Sequence, residues 1–164
     1  MHNLSQFESK IGVQFKNQDL LLQALTHRSY LNENPSFRVG QNERLEFLGD
    51  AVLELVVTEK LYNRFPDYDE GKLTSIRAAL VNYQFLAQTA LIIKLEESIL
   101  LSRGESKDTG RAREVILANG IEALFGALYL DGGYEAAKKV ISRSVMGRLH
   151  EVMKNGSYRD PKSS

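Results

Sequence analysis

The chain has 164 residues, 43% of them hydrophobic and 26% charged, a composition that suits one globular domain and argues against a disordered chain. It contains no cysteine, which excludes disulfides, thiolate metal sites and cysteine nucleophiles and is compatible with a reducing compartment. Its 21 basic and 21 acidic side chains cancel, so bulk charge argues mildly against a nucleic-acid partner without excluding one.

The first part of the chain predicts two short helices and a loop. Apolar residues recur at helical spacing up to Gly12, which is placed to end the first helix. Asn17 is expected to cap a second helix that ends near His27. Residues 31–41 are rich in asparagine, proline and glycine, and a loop is expected there. No segment of the chain alternates with period two for long enough to predict a strand.

A long helix follows and is expected to be the centre of the fold. Asn42 is placed to cap it, and an apolar stripe continues to about Arg64, because Pro66 cannot extend a helix. At about 1.5 Å per residue, this helix would be over roughly 30 Å long.

The second half of the chain also predicts helices. One starts near Asp69, and further helices are expected at 83–91, 95–101, 113–130 and 134–154, with a polar loop at 102–110. Asp131-Gly132-Gly133 should break the last two apart. Residues 1–12 show no signal peptide, and no apolar stretch is long enough to predict a membrane span.

Three acidic residues share one face of the long helix. Glu43, Glu46 and Asp50 are spaced i, i+3, i+7. A solvated acidic face is the ordinary interpretation of such spacing, and Glu54 continues the same series. Gly49 lies beside Asp50, however, where a glycine costs a helix about 1 kcal/mol relative to alanine, and it often marks close approach of a backbone or ligand.

A second oxygen-bearing pair occurs downstream, on another strongly apolar helix. Asn119 and Glu122 are spaced i, i+3. If the two helices pack together, four oxygen ligands could converge, which is what Mg²⁺ requires. No histidine is near these positions in sequence, which disfavours zinc. From the residues alone, a carboxylate metal site and a solvated acidic surface both remain open.

Four blocks of sequence resemble the ribonuclease III family in the same order. They are Ala24–Tyr30 (ALTHRSY), Asn42–Leu53 (NERLEFLGDAVL), Phe65–Leu80 (FPDYDEGKLTSIRAAL) and Glu114–Asp131 (EVILANGIEALFGALYLD). The resemblance covers nearly the whole chain up to about Glu151. It implies an all-α catalytic domain over residues 1–154, followed at 155–164 by a linker toward a double-stranded RNA-binding domain.

The resemblance also implies an activity. The family forms homodimers that hydrolyse phosphodiester bonds in both strands of double-stranded RNA, leaving 5′-phosphates, 3′-hydroxyls and short 3′ overhangs. The expected cofactor is Mg²⁺, with Mn²⁺ as a substitute, and water is the nucleophile. We therefore expect a cytoplasmic enzyme of RNA processing, including that of ribosomal RNA, with no membrane partner.

Mapped by motif, the resemblance assigns roles to named positions. The expected metal ligands are Glu46, Asp50, Asn119 and Glu122, while Glu43 and Glu70 match acidic positions that help to assemble the cleavage site. Glu54 matches no such position. Phe47 would by default be a core aromatic residue, but by resemblance it inserts into a pocket of the partner subunit. His27 is expected to be a core or capping histidine.

One position departs from the family pattern. Asn119 stands where the family most often has aspartate, and an amide oxygen brings no negative charge to a hard cation. A weaker metal site is therefore expected. Two alternatives stay open: a dimer that binds double-stranded RNA and cuts it slowly or not at all, and a helical interaction protein with no RNA role.

The polar segment before the second acidic helix is a candidate RNA contact. Lys107, Arg111 and Arg113 are placed to reach phosphates of an A-form duplex, which proteins recognise mainly through phosphates and 2′-hydroxyls. A merely solvated loop is the competing interpretation.

Overall fold

The computed structural model describes residues 4–156, and this part of the chain is helical. Its helices are α1 (Leu4–Ile11), α2 (Gln18–Ala24), α3 (Arg28–Glu33), α4 (Glu43–Arg64), α5 (Glu70–Val81), α6 (Tyr83–Ile92), α7 (Arg103–Lys107), α8 (Arg111–Ser144) and α9 (Leu149–Asn155). Single 3₁₀ turns occur at Leu95–Glu97 and Met146–Arg148. No strand forms within these residues. One isolated parallel bridge joins Thr26 to Leu100. The prediction of an all-α domain is confirmed.

Local sequence signals place most of the helix boundaries. Gly12 follows α1 with φ of 72°, a conformation that glycine adopts readily. The Asn17 side chain accepts a hydrogen bond from the Asp19 N–H at 3.1 Å and so caps α2. Asp69 caps α5 through the Lys72 N–H at 2.9 Å. These boundaries agree with the sequence predictions.

Four local predictions were wrong, two because a distant contact decides the structure and two because a local cap, at His27 or at Ser102, starts a short helix. Asn42 does not cap α4; its buried side chain donates to the Ala24 carbonyl at 3.1 Å instead. A short helix, α3, occupies part of the predicted loop. The segment 95–101 forms only one 3₁₀ turn before Leu100 pairs with Leu25 and His27. The predicted loop at 102–110 contains α7.

Helix α8 consists of two helical segments that meet at a kink at Gly133. This glycine has φ of 82° and ψ of −174°, so the predicted break is present although the helix resumes at once. Just before the bend, the Asp131 carboxylate accepts hydrogen bonds from the backbone N–H groups of Lys16 and Asn17, each at 2.9 Å. The bend therefore ties α8 to the segment between α1 and α2.

By length and composition, the helical stretch 111–155 could span a membrane, which the sequence analysis had excluded. Its apolar side chains form part of the domain core, since 61% of its most apolar 18-residue segment is buried inside the domain.

Helices α4 and α8 form the largest packed pair, and α6 covers a further face of α8. The core is mostly aliphatic and also contains the fully buried rings of Phe7 and Phe125. Burial of each such side chain contributes roughly 1.5–3 kcal/mol to folding. This packing fixes the relative position of α4 and α8, on which the candidate site depends.

A buried cation, Arg148, lies where α6 and α9 meet. Arg148 is 8% exposed, and its guanidinium lies 3.8 Å from the centre of the Phe85 ring. It donates to the carbonyl oxygen of Phe85, to Thr89 Oγ1, to Gln88 Oε1 and to both carboxylate oxygens of Glu151, at 2.6–3.0 Å. Its charge is thus almost fully satisfied by partners on α6 and α9.

The predicted linker at 155–164 lies mostly beyond the described residues, since only its first two positions fall within them.

Candidate active site

The candidate site forms where the backbones of α4 and α8 touch. A Cβ atom added at Gly49 would lie 1.6 Å from the carbonyl oxygen of Glu122, and one added at Gly126 would lie 2.3 Å from that of Leu45. Real Cβ atoms do not approach so closely, so both positions require glycine. The sequence prediction that Gly49 marks a close backbone approach is confirmed.

This contact brings carboxylates from two helices together. The Glu122 carboxyl on α8 forms a hydrogen bond with Asp50 on α4, and Glu46 lies within electrostatic range of both. Burial raises the pKa of Glu122 to about 9, and the hydrogen bond and charge of Asp50 and the charge of Glu46 contribute to the shift. Burial, with the charges of Glu43 and Asp50, also raises the pKa of Glu46.

These shifts show like charges crowded without compensation. No basic side chain in the described part of the chain is among the causes of either shift. With its pKa near 9, Glu122 keeps its proton at neutral pH and donates it to the Asp50 carboxylate. As the side chains lie, no three His, Asp or Glu residues between positions 4 and 156 form a ready-made metal cluster. The donor set is oxygen-rich and lacks positive charge, which fits a hard divalent cation.

Glu43 borders the site from the first turn of α4. Gln41 holds this residue on both sides: its Oε1 accepts from the Glu43 N–H at 2.5 Å, and its Nε2 donates to the Glu43 carboxylate at 2.9 Å. The Gln41 side chain therefore satisfies the helix end that Asn42 was expected to cap. Asn42 instead anchors α4 to the end of α2, through its side chain to Ala24 and its N–H to Thr26.

Asn119 lies one turn before Glu122 on α8 and is half-buried. Its spacing gives it the same face of the helix as Glu122. Its place beside the acids therefore stays a prediction that rests on this spacing.

Glu70 does not join this group within one chain. It is the first residue of α5 and is exposed. Together with Thr58, Tyr62 and Arg77 it lines a cavity of about 400 Å³ between α4 and α5. That cavity belongs to the C-terminal half of α4, whereas Glu46 and Asp50 lie in its N-terminal half.

His27 caps a helix, as predicted. Its Nδ1 accepts from the Ser29 N–H at 3.2 Å, and the Ser29 hydroxyl accepts from the Ser102 N–H at 2.9 Å. Burial lowers the pKa of His27, which suits an imidazole that accepts a hydrogen bond at Nδ1. Through Ser29 the segment before α7 is fixed against α3.

The three cations predicted to contact RNA differ in whether they already form contacts within the chain. Arg113 donates to the Ser106 carbonyl at 2.8 Å and so holds the end of α7. Arg111 donates to the Tyr83 hydroxyl and lies over the Tyr83 ring. Lys107 is exposed at the end of α7. Of the three, Lys107 is the one whose charge is available without breaking a contact.

Phe47 is not a core residue. Its side chain is 84% exposed, on α4 between Glu46 and the glycine contact. Two more apolar side chains of α4, Leu55 and Tyr62, are 57% and 72% exposed and lie on the same face of the helix. An unpartnered apolar stripe therefore runs along the outside of α4.

Sequence reasoning missed two residues of the site. Gly126 completes the contact with Gly49, and its signal was available as a glycine one turn after Glu122 in a helix of large apolar residues. Gln41 was read as part of a loop, and no local pattern distinguishes it from its neighbour Asn42.

Comparisons with known proteins agree on one group of relatives. The family model described as "Ribonuclease-III-like" matches residues 17–149. A Ribonuclease 3 from Dehalococcoides mccartyi (strain 195) is 44% identical over 163 residues, 99% of this chain and 69% of the relative. A Ribonuclease 3 from Ectopseudomonas mendocina is 45% identical, covering 98% of this chain and 67% of the relative. The chain thus spans about two thirds of the length of these curated relatives.

Solved structures give the same result. The nuclease domain of ribonuclease III from Campylobacter jejuni superposes with a TM-score of 0.79 at 40% identity, covering 88% of this chain and 97% of that one; the work on it concerns a region involved in dimer formation. A Dicer from Pichia stipitis superposes with a TM-score of 0.61 at 27% identity, over 88% of this chain and 61% of that one.

Proposed function

Because the chain belongs to the ribonuclease III family of endoribonucleases, we propose that it hydrolyses phosphodiester bonds in double-stranded RNA by a divalent-metal mechanism. The observation that carries this proposal is the meeting of Glu46, Asp50 and Glu122 at the contact of Gly49 with α8. The expected products carry 5′-phosphates and 3′-hydroxyls, with short 3′ overhangs. The cellular role that we propose is RNA processing in the cytoplasm, including that of ribosomal RNA.

The residues that would hold the cation are Glu46, Asp50, Asn119 and Glu122. Their oxygens suit Mg²⁺ or Mn²⁺, and the acids stand without a compensating positive charge. When bound, a divalent cation lowers the pKa of its water and neutralises the attacked phosphate. Glu122 must give up the proton that it shares with Asp50 before it can act as an anionic ligand.

The fold of the chain would hold the metal ligands in position. Gly49 and Gly126 let α4 and α8 approach until their acids share one hydrogen bond, so the ligands are carried by two rigid helices and not by loops. Gln41 orients Glu43 at the rim. Lys107, Arg111 and Arg113 would then support the RNA backbone on the α7 side of the site.

We also propose that the active form is a homodimer built on the apolar stripe of α4. Leu55 lies midway along the chain between Phe47 and Tyr62, so a two-fold axis near Leu55 would set Phe47 against the partner's Tyr62. The cavity beside Tyr62 is lined by Leu61, Tyr68 and Leu73 and has room for a phenyl ring. The same cavity carries Glu70, so this pairing would bring the partner's Glu70 toward Glu46 and Asp50.

This arrangement accounts for the separation of Glu70 from the other acids within one chain. It predicts that Glu70 acts in trans. In a mixed dimer of a Glu70→Gln subunit and a Glu122→Gln subunit, one site has lost both acids and the other has kept both.

Mixing the two inactive variants should therefore restore cleavage, as nicks in one strand of the duplex. If Glu70 acts within its own chain, neither site of the mixed dimer is whole and mixing restores nothing. Full activity of the Glu70→Gln homodimer would remove Glu70 from the site altogether.

The stripe has its own test. Phe47→Glu should yield monomers in analytical ultracentrifugation, because a charge cannot enter an apolar cavity. Leu91→Glu changes an apolar residue on α6 that is 46% exposed and serves as the matched control. A dimer that survives Phe47→Glu, or one lost equally in Leu91→Glu, would contradict this interface.

The metal mechanism is tested by cleavage of a long RNA duplex in Mg²⁺, in Mn²⁺ and in EDTA. Glu122→Gln should lower turnover by roughly 10²-fold or more, because it removes an anionic ligand but keeps the shape of the side chain. Glu54→Gln changes an exposed acid of the same helix and should leave turnover unchanged. Cleavage that persists in EDTA, or in Glu122→Gln, would overturn the assignment.

Asn119 supports one alternative function, a dimer that binds double-stranded RNA and cuts it slowly or not at all. Binding of a long duplex without products in either Mg²⁺ or Mn²⁺ would favour this alternative.

A further inference from the structure

A second cavity, of about 490 Å³, lies at the far end of α4. It is lined by Lys60, Asn63 and Arg64 on α4, by Ser142 near the end of α8, and by Met146, Gly147 and Leu149. Asn63 and Arg64 are exposed at its rim. None of the residues assigned above to catalysis or dimerisation takes part in it.

The cavity carries uncompensated positive charge. Neither Lys60 nor Arg64 forms an ion pair with an acidic side chain of the described chain. Glu59 is the acid next to Lys60, but its carboxylate already accepts from the Tyr134 hydroxyl at 2.5 Å and pairs with Lys138 at 3.3 Å. Two cations therefore face this space with their hydrogen-bond donors available.

A neutral donor also lies in the wall of the cavity. The Ser142 hydroxyl oxygen is buried and has no hydrogen-bond partner, which is uncommon for a buried polar group. Basic residues at the end of a helix are often explained by the helix dipole alone. The dipole explains neither the space nor the unpartnered hydroxyl. A ligand with several acceptor oxygens would satisfy both.

The cavity shares one face of the molecule with the catalytic acids. From Glu46 to Arg64 there are 18 residues, which is about five turns of α-helix, so the two side chains point the same way about 27 Å apart. A long polyanion lying along this face would meet the acids at one end of α4 and the basic cavity at the other.

From these observations we propose that Lys60, Asn63, Arg64 and Ser142 form a binding site for a backbone phosphate of the RNA duplex, remote from the cleavage site. This inference rests on the proposed function, because it takes the duplex as the polyanion. It assigns the cavity to substrate binding on duplexes long enough to reach it, and not to the chemical step.

The test compares two double variants that remove equal charge. Lys60→Gln with Arg64→Gln empties the cavity of cations, whereas Lys139→Gln with Lys154→Gln removes two exposed cations that do not line it. Kd is measured in EDTA, and kcat and KM in Mg²⁺, on RNA duplexes of increasing length.

We expect the cavity variant to bind long duplexes roughly three- to tenfold more weakly, with the slope of log Kd against log salt reduced by about one to two. Its kcat should be unchanged, and on the shortest cleavable duplexes its KM should match that of the unaltered chain. Ser142→Ala should weaken long-duplex binding alone, without changing the salt slope, since a hydroxyl releases no counterion.

Equal losses in the two double variants would show a general charge effect and overturn the site, as would no loss in either. Thermal unfolding checks that each variant folds, and Arg64→Gln alone replaces the double variant if that one does not. If the unaltered chain neither binds nor cuts duplex RNA, it is the proposed function that fails. If it cuts normally and the cavity variant behaves as the control, only this inference fails.

Discussion

Two regions of this molecule hold charge in opposite ways. Arg148 is surrounded by oxygens that match its donors, and its ring contact with Phe85 completes its environment. At the contact of α4 and α8, Glu46, Asp50 and Glu122 face one another with no positive partner among the described residues. The first arrangement stabilises the fold. The second costs stability, and such uncompensated crowding is typical of acids that are held for chemistry and not for folding.

The largest effect on stability is expected at Gly49, where the backbones of α4 and α8 touch. Gly49→Ala would place a methyl group 1.6 Å from the Glu122 carbonyl oxygen, so α4 and α8 must separate. We expect a loss of more than about 4 kcal/mol in the free energy of unfolding, measured by urea denaturation, and loss of cleavage.

Gly71→Ala is the matched control for that change. Gly71 also lies in a helix, but an added Cβ there would lie 3.7 Å from the Asp69 Oδ1 atom, which is an ordinary contact. This substitution should stabilise the chain by about 0.4–1 kcal/mol. If both glycines tolerate alanine, the close contact of the helices is not required.

The satisfied cation gives the next largest effect. Arg148→Ala removes the guanidinium from several acceptors at once and leaves the buried Thr89 hydroxyl without it. We expect a loss of about 3–5 kcal/mol in the free energy of unfolding. Arg143→Ala, an exposed arginine on α8, should change it by less than about 0.5 kcal/mol. Similar values for the two arginines would mean that the Arg148 contacts do not stabilise the fold.

Removing a charge from the group of Glu46, Asp50 and Glu122 should raise stability, whereas removing the charge of Arg148 should lower it. Glu122 keeps its proton in the folded chain up to about pH 9 but loses it near pH 4.5 when unfolded. Its contribution to stability is therefore fully present below pH 4.5 and is lost as the pH rises through about 9. Glu122→Gln should raise the free energy of unfolding at pH 8–9 by about 1–2 kcal/mol, with no metal present, and leave it unchanged near pH 4.

Urea denaturation at pH 4, 7 and 9 measures this difference. An equal loss of stability in Glu122→Gln at all three pH values would show that the glutamate is an ordinary structural residue.

The smallest effect on stability is expected at Asn119, where an amide replaces a carboxylate and so removes one negative charge from the proposed site. Asn119→Asp should raise turnover several-fold at limiting Mg²⁺, because a carboxylate holds a hard cation more tightly than an amide. In metal-free buffer the same change should lower the free energy of unfolding by about 0.5 kcal/mol. The Asn119→Gln variant serves as the uncharged control. No gain in turnover at any Mg²⁺ concentration would show that the amide is no handicap.

Much of the fold follows from local sequence. The helix-ending glycine at position 12, the caps at Asn17 and Asp69 and the stop before Pro66 all act through neighbouring residues, so the pattern of the chain contains them. Two of the predictions that failed, at Asn42 and at segment 95–101, depend on distant partners. Asn42 leaves its capping role because the Ala24 carbonyl is available to it, and no local signal reports that carbonyl.

The same distinction applies to the candidate site. Helical spacing placed Glu46 and Asp50 on one face, and Gly49 signalled a close neighbour. Which residues approach that glycine could not be predicted, because the crossing point of α4 and α8 is set by the whole core. For the same reason the resemblance, which grouped Glu70 with the other acids, could not show that α5 holds it at a different cavity of the same chain.

Gly133 shows what limits the choice of residue at the bend in α8. Nothing lies within 4 Å of an added Cβ there, so space does not require glycine. Its φ of 82° does, because an L-residue is strained in that conformation while its mirror image is relaxed. A D-alanine introduced by chemical ligation would therefore suit the bend where L-alanine would not. At Gly133 the choice of residue is therefore constrained by stereochemistry and not by space.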